Sequence, residues 1–248
     1  MEDFLSWGMK LNSGFGDYFP DGSFAEWDEQ LRQFSKNGLS DERRQAILQS
    51  KRSYRGWISN AFKQEIGAPW GGTNVICPLD EELPKVFRTV RSYRTLASLI
   101  KLNDGLLAVD SDLSAIIEDL EPGLHRFWPI RIEMPNGVTY PSVYFGMLVG
   151  RFLDSFMPKE SDPAAFRTGE LLEDTYFLRA AASNTFSGVV FDGKVIGGSH
   201  LWRERKLLSI SLLLSDTLKS RIDAANLRVP KCRMVTHFSD GNAPGDSN

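Results

Sequence analysis

The chain alternates between stretches whose apolar residues recur every three to four positions and short runs in which they alternate or cluster. Phe24, Trp27, Leu31 and Phe34 fall on one helical face. Ser23 and Glu26 have capping-box spacing, so a helix is expected from Ser23 to Gly38. Ser40 followed by Asp41 and Glu42 signals a second helix, with Ile47, Tyr54, Ile58 and Phe62 inward, ending before Gly67. From Leu83 the positions Val86, Phe87, Val90, Tyr93, Ala97 and Ile100 predict a third, stopped at Asn103-Asp104-Gly105. Residues 1–22 are rich in Gly, Asp and aromatics without a period and are expected to form a loop-like arm.

Further on, Leu106 to Val109 suits a short buried strand, and Asp110-Ser111 caps a helix carrying Leu113, Ile116, Ile117 and Leu120. Phe127 to Met134 and Tyr140 to Val149 form a hairpin around Pro135-Asn136-Gly137, a turn that Asn-Gly favours. Residues 154–170 are a polar loop or lobe, and Phe177 to Ala182 fits helix and strand equally. Phe186 to Phe191, Asp192-Gly193 and Lys194 to Ile196 predict a second hairpin; Asn74 to Pro78 suggests another short strand. An internal echo stands out at a constant offset of 105: Asp110-Ser111-Asp112-Leu113 through Ile117 to Ile130 resembles Ser215-Asp216-Thr217-Leu218 through Ile222 to Val235. Duplication and two separate solutions to one αβ packing problem both account for it. The expected class is α+β, with mixed helices and antiparallel hairpins, two related strand–helix–strand units and a helical N-terminal region. This divides the chain into a helical region 1–94, a main domain 95–238 and a disordered tail 239–248.

Composition narrows the chemistry more than the fold. The 248 residues carry a net charge of −3, too little to point to nucleic acid or a membrane surface. No run approaches the ~20 apolar residues of a membrane helix. The N-terminal stretch is acidic and lacks the apolar core of a signal peptide, so a cytoplasmic location is expected. Cys77 and Cys232 stand alone in sequence, as buried thiols do in a reducing compartment. Charge is uneven: residues 1–37 hold seven acids against three bases, and residues 38–65 six bases against three acids. Solvated helix faces account for this most simply, and the sharper alternative is an acidic docking surface at Asp17, Asp21, Glu26, Asp28 and Glu29. Lys85, Arg88, Arg91 and Arg94 spread around a helix without the stacking aromatics of a nucleic-acid face.

The search for catalytic or metal groups returns little. His125, His200 and His237 have no second ligand at metal spacing. Ser199-His200 lacks the frame of a nucleophile elbow, and adjacent strand residues point to opposite faces. Glu118, Asp119 and Glu121 sit at a helix end, where carboxylates are normally solvated, and Arg203-Glu204-Arg205 suits a surface ion pair. No cofactor is called for.

One likeness adds to this. Gly105-Leu106-Leu107-Ala108-Val109, Phe127-Trp128-Pro129-Ile130, Gly198-Ser199-His200-Leu201-Trp202-Arg203 and Leu214-Ser215-Asp216-Thr217-Leu218-Lys219 follow one another in an order that resembles a family of bacterial immunity proteins from polymorphic toxin systems. The likeness covers residues 95–238. It implies a protein that binds and neutralises a cognate toxin without catalysis, and a basic nuclease toxin would suit the acidic N-terminal residues. It marks His200, Leu201, Trp202, Arg203 and Ser215 as family-motif positions, most simply scaffold. Two other classes stay open: a small hydrolase or transferase whose site gathers around His200 or His237, and a regulatory protein-binding module.

Overall fold

The computed structural model describes residues 6–11, 16–63, 77–169, 174–179, 182, 185–208 and 212–238. In chain order these form β1 (Ser6–Met9), β2 (Gly22–Phe24), α1 (Trp27–Asn37), α2 (Asp41–Gln49), α3 (Tyr54–Lys63), β3 (Val86–Thr89), β4 (Leu99–Lys101), β5 (Leu107–Asp110), α4 (Ser111–Leu120), β6 (Arg126–Glu133) and β7 (Tyr144–Leu148). The second half continues with β8 (Phe152–Leu153), β9 (Phe166–Thr168), β10 (Tyr176–Leu178), β11 (Val190–Asp192), α5 (Gly193–Ile196), β12 (Leu201–Glu204), β13 (Leu212–Ser215), α6 (Asp216–Ala224) and β14 (Cys232–Phe238). The class is α+β. Two six-stranded sheets run in the orders β2-β3-β6-β7-β5-β4 and β11-β14-β1-β13-β12-β8, and β9 pairs with β10.

The echo at offset 105 is a structural repeat. In the first sheet β7 lies antiparallel between β5 and β6; in the second β1 lies antiparallel between β13 and β14. Tyr144 faces Asp110 and Ile130, and Ser6 faces Ser215 and Val235, partners again 105 apart. The flanking strands follow suit: β4 and β12 are antiparallel to β5 and β13, while β3 and β11 are parallel to β6 and β14. Each unit therefore consists of the same six pieces, but the last strand of the second comes from the start of the chain. The matched strands also share chemistry, Phe145-Gly146-Met147 in β7 against Trp7-Gly8-Met9 in β1. An added Cβ would meet the Trp128 ring at 2.4 Å from Gly146 and the Phe186 ring at 2.6 Å from Gly8, so a side chain is excluded at both.

Strand alternation splits the interior into three cores in series. Leu99, Leu107, Val109 and Met147 of the first sheet and Met9, Leu201, Leu212 and Leu214 of the second close on Leu113 and Ile117 of α4 and Leu218 and Ile222 of α6. The opposite face of the first sheet, with Phe87, Ile100, Ala108 and Ile130, packs on Trp27 and Leu31 of α1 and Ile58 and Phe62 of α3. Trp202, Leu213 and Phe191 of the second sheet pack on Phe156, Ala165 and Leu178 from the region of β9 and β10.

Several expectations need correction. The described residues among 1–22 are no loose arm: Ser6–Met9 is a central strand. Its partners lie over 200 residues away, and four residues are too few to show a period. Ser23 starts no helix; it pairs with Arg88 in β2, and α1 begins at Trp27 behind Glu26, whose φ of 63° is left-handed. The second helix divides at residues 50–53, where Lys51 takes a φ of 55°, so Tyr54, Ile58 and Phe62 belong to α3, and α2 packs only half-buried Ala46 and Ile47 against the core. The helix expected from Leu83 is absent. Phe87 and Thr89 are buried with Arg88 exposed between them, which is strand alternation, and β6 supplies the parallel partner. The second hairpin is absent too: Asp192 accepts hydrogen bonds from the N–H groups of Lys194 and Val195 at 2.8 and 3.3 Å, turning Asp-Gly into the cap of α5. Residues 77–78 lie outside any strand. The rest of the strand expected from Asn74 and the tail 239–248 lie outside the described residues.

The hairpin of β6 and β7 and both helix caps follow the expectation. Asp110 accepts from Leu113 N–H at 2.9 Å and Ser215 from Leu218 N–H at 3.1 Å.

Candidate functional site

The motif residues sit where the two units meet. The carbonyl of His200 accepts from Ser215 N–H at 3.0 Å, so the cap residue of α6 is tied to the strand beside it. His200 Nδ1 lies 2.8 Å from Ser215 Oγ, which caps α6 at the same time. Alternation then sends Leu201 into the central core and Trp202, fully buried, into the outer core of the second sheet. Arg203 reaches the Lys63 carbonyl at the end of α3, 3.3 Å away. Replacing Ser215 by alanine removes the cap and the His200 contact together. The expected loss is about 1–2 kcal/mol in urea unfolding, while the same change at exposed Ser220 should be close to neutral.

The organising group of this joint is Glu121, immediately after α4. Its carboxylate is buried and accepts from His125 Nε2 at 2.8 Å, Arg151 Nε at 3.1 Å, His200 N–H at 3.1 Å and Leu201 N–H at 2.9 Å. Burial by itself would raise its pKa, but the hydrogen bonds from His125 and the two backbone N–H groups outweigh it and hold the carboxyl below its ordinary range. His125 Nδ1 accepts from Gly150 N–H at 3.2 Å, so Nε2 carries the proton and both ring nitrogens are engaged. Glu121 thus links the end of α4 in the first unit to β12 in the second. The expectation of a solvated carboxylate at this position is wrong. The signal in the chain is slight, an acid directly after the last apolar residue of a helix face and four before a histidine; only the approach of β12 supplies the backbone donors.

Two other carboxylates are buried for similar reasons. Glu204 accepts from Ser155 N–H at 2.9 Å and Ser155 Oγ at 2.6 Å, and burial pushes its carboxyl up. It forms no surface ion pair with its neighbours; Arg205 pairs with Asp154 at 3.3 Å instead. Glu82 binds Arg43, the Tyr54 hydroxyl and the Leu79 N–H, fastening α2 and α3 to the segment before β3.

The acidic candidates are spread over two places. Asp17, in the turn before β2, accepts from Arg228 at 2.6 Å and Thr95 at 3.2 Å, and the Arg228 contact lowers its pKa. Asp21 is half-buried, its N–H bonded to the Tyr93 hydroxyl at 2.8 Å. Glu26, Asp28 and Glu29 are exposed together at the start of α1, with Asp28 2.8 Å from Arg55 and Glu29 bound to Arg32 and Gln33. Of the other groups singled out, Cys77 and Cys232 are free thiols, Cys77 is exposed, and burial pushes the Cys232 thiol up to about 11. His237 lies on β14 opposite Phe191. Among the described residues no three His, Cys, Asp or Glu side chains are placed to hold a metal ion, and no helix is long and apolar enough to cross a membrane.

A model of the immunity protein family Imm11 matches residues 21–235. The chain belongs to this family. The match takes in residues 21–94, which the resemblance in sequence did not reach, so α1–α3, β2 and β3 are part of the family's unit. No curated protein matches the chain. As a member of an immunity family it carries its motif residues in a structural joint: His200, Leu201 and Ser215 hold β12, β13 and α6 together around Glu121.

Proposed function

We propose that the protein binds a cognate bacterial toxin in the cytoplasm of the cell that makes it and neutralises it by occlusion, without catalysis of its own. The family match over residues 21–235 carries this reading. The geometry is compatible with it, because the groups that invite a catalytic reading are committed to internal contacts. His125 is bonded through both ring nitrogens, Glu121 through four donors, and His200 through Nδ1 to a helix cap. A general base must reach a substrate proton, and the His125 side chain is buried with both ring nitrogens held, while the Glu121 carboxylate is occupied by protein donors. The acidic residues at the start of α1 are proposed as part of the contact surface, where they would attract a basic toxin and speed its association.

The test is co-expression with the toxin encoded beside it. Cells carrying both genes should grow, cells carrying the toxin alone should not, and the two proteins should co-purify. Absence of both protection and binding would remove the reading.

A further inference from the structure

The internal repeat shows what one open cleft lacks. A cleft of about 590 Å³ beside α4 is lined by Ser114 and Glu118 of that helix, Phe127 of β6 and Phe145 of β7, with His125 and Arg126 at its end. The matching place in the second unit can be read position by position. Ser114 corresponds to Lys219, Glu118 to Asp223 and Phe127 to Cys232 at the offset of 105, and Phe145 corresponds to Trp7 through the strand register. There the space is filled from within. The Lys219 ammonium lies 5.1 Å from the centre of the Trp7 ring and pairs with Asp223, and the Trp7 indole N–H donates to Asp216 at 3.1 Å. In the first unit the aromatic floor and the acid remain, but Ser114 replaces the lysine and its hydroxyl turns back to the Ser111 carbonyl at 2.9 Å. A second ring, Phe127, stands where the second unit has Cys232. The two phenylalanines are diagonal neighbours across β6 and β7, within reach of one apolar stem.

We propose that this cleft receives a lysine side chain of the partner protein, its ammonium between the Phe145 ring and the Glu118 carboxylate and its stem along Phe127. The chemistry is that of the filled twin: a cation over a ring face, an acid beside it, and methylenes on apolar surface. Arg126 does not oppose it, since its guanidinium is bound to Asp80 and the Pro78 carbonyl. The His125 side chain is buried and bonded to Glu121. Identifying the partner with a toxin rests on the function proposed above; the site itself does not.

The decisive variant is Ser114→Lys, which copies the second unit and plugs the cleft from within. It adds an i,i+4 pair with Glu118, so its melting temperature should equal or exceed that of the wild type. Two readouts separate the claims. In amide NMR of the full chain, N-acetyl-lysine-N-methylamide up to ~20 mM, the weak range expected of a single side chain, should shift signals of Ser114–Glu118 and Phe145. The norleucine analogue should not, and Ser114→Lys should abolish the effect. With the neighbouring toxin, Ser114→Lys should weaken binding at least about tenfold, as loss of a central contact does, whereas Ser220→Lys, the same charge on exposed α6 surface, should not. No localised shifts, or equal shifts in Ser114→Lys, overturn the site. Localised shifts with unchanged toxin affinity overturn its use by that partner, and a wild type that does not bind the toxin overturns the immunity reading while the NMR result still judges the cleft.

Discussion

Replacing Glu121 by alanine is expected to be among the most damaging single changes in the protein, costing about 3–5 kcal/mol, as removing one partner of a buried charge network does. For a chain of this size that corresponds to a fall in melting temperature of roughly 6–20 °C. The reason lies in what is left behind. The N–H groups of His200 and Leu201, the His125 ring and Arg151 all lose their acceptor, and Leu201 and His125 are in places water does not reach. Denaturant unfolding of Glu121→Ala and Glu121→Gln tests this, and the glutamine variant should fall between wild type and alanine because its amide oxygen retains part of the acceptor role. The pH dependence has a defined sign. The folded-state pKa is below the ordinary 4.5, so the stabilisation is fully present above about that pH and disappears as pH falls through the folded value. Wild type should therefore lose stability on acidification more steeply than Glu121→Gln. Equal acid slopes, or a loss under about 1 kcal/mol in Glu121→Ala, would show that the carboxylate is not the joint described here.

Gly8→Val is expected to cost about 3 kcal/mol, the upper end for an overpacked core. The added Cβ would lie 2.6 Å from the Phe186 ring, which is itself buried, and β1 is hydrogen-bonded on both sides and cannot move away. An N-terminal arm packed only by its aromatics would tolerate the same substitution within a few tenths of a kcal/mol. The melting temperature should drop by roughly 6–12 °C. The equivalent change in the first unit, Gly146→Val against the Trp128 ring, should behave alike, since that ring is pinned by its N–H to the Pro84 carbonyl at 3.0 Å. A neutral Gly8→Val would remove β1 from the centre of the second sheet.

These two residues show where the chain could be read and where it could not. Asp110 and Ser215 announce their helices because a cap, the acid after it and the apolar face three and seven residues on all lie within one local window. The hairpin of β6 and β7 was legible for the same reason, its turn being an Asn-Gly between two apolar runs. The failures share a different cause. Val86 to Ile100 carries apolar residues at spacings that fit a helix, and only the parallel partner β6 makes a strand of its first part. Asp192-Gly193 is as good a cap as it is a turn, and the use is settled by the β14 strand that β11 joins. Glu121 looked like any carboxylate at a helix end because the donors that bury it come from residues 200 and 201.

Local chemistry therefore determined the α+β class, both capped strand–helix units, the offset of 105 that relates them and the order of motifs that resembles an immunity family. These depend on contacts between residues only a few positions apart, whose energies are visible in short patterns. Tertiary structure alone decided that the second unit borrows its central strand from Ser6–Met9, that Glu121 ties the units together, and that a cleft filled by Lys219 in one unit stands open beside Ser114 in the other. Each of those facts is a meeting of groups about 80 or more residues apart, or a comparison between two such meetings, and no local pattern in the chain encodes it.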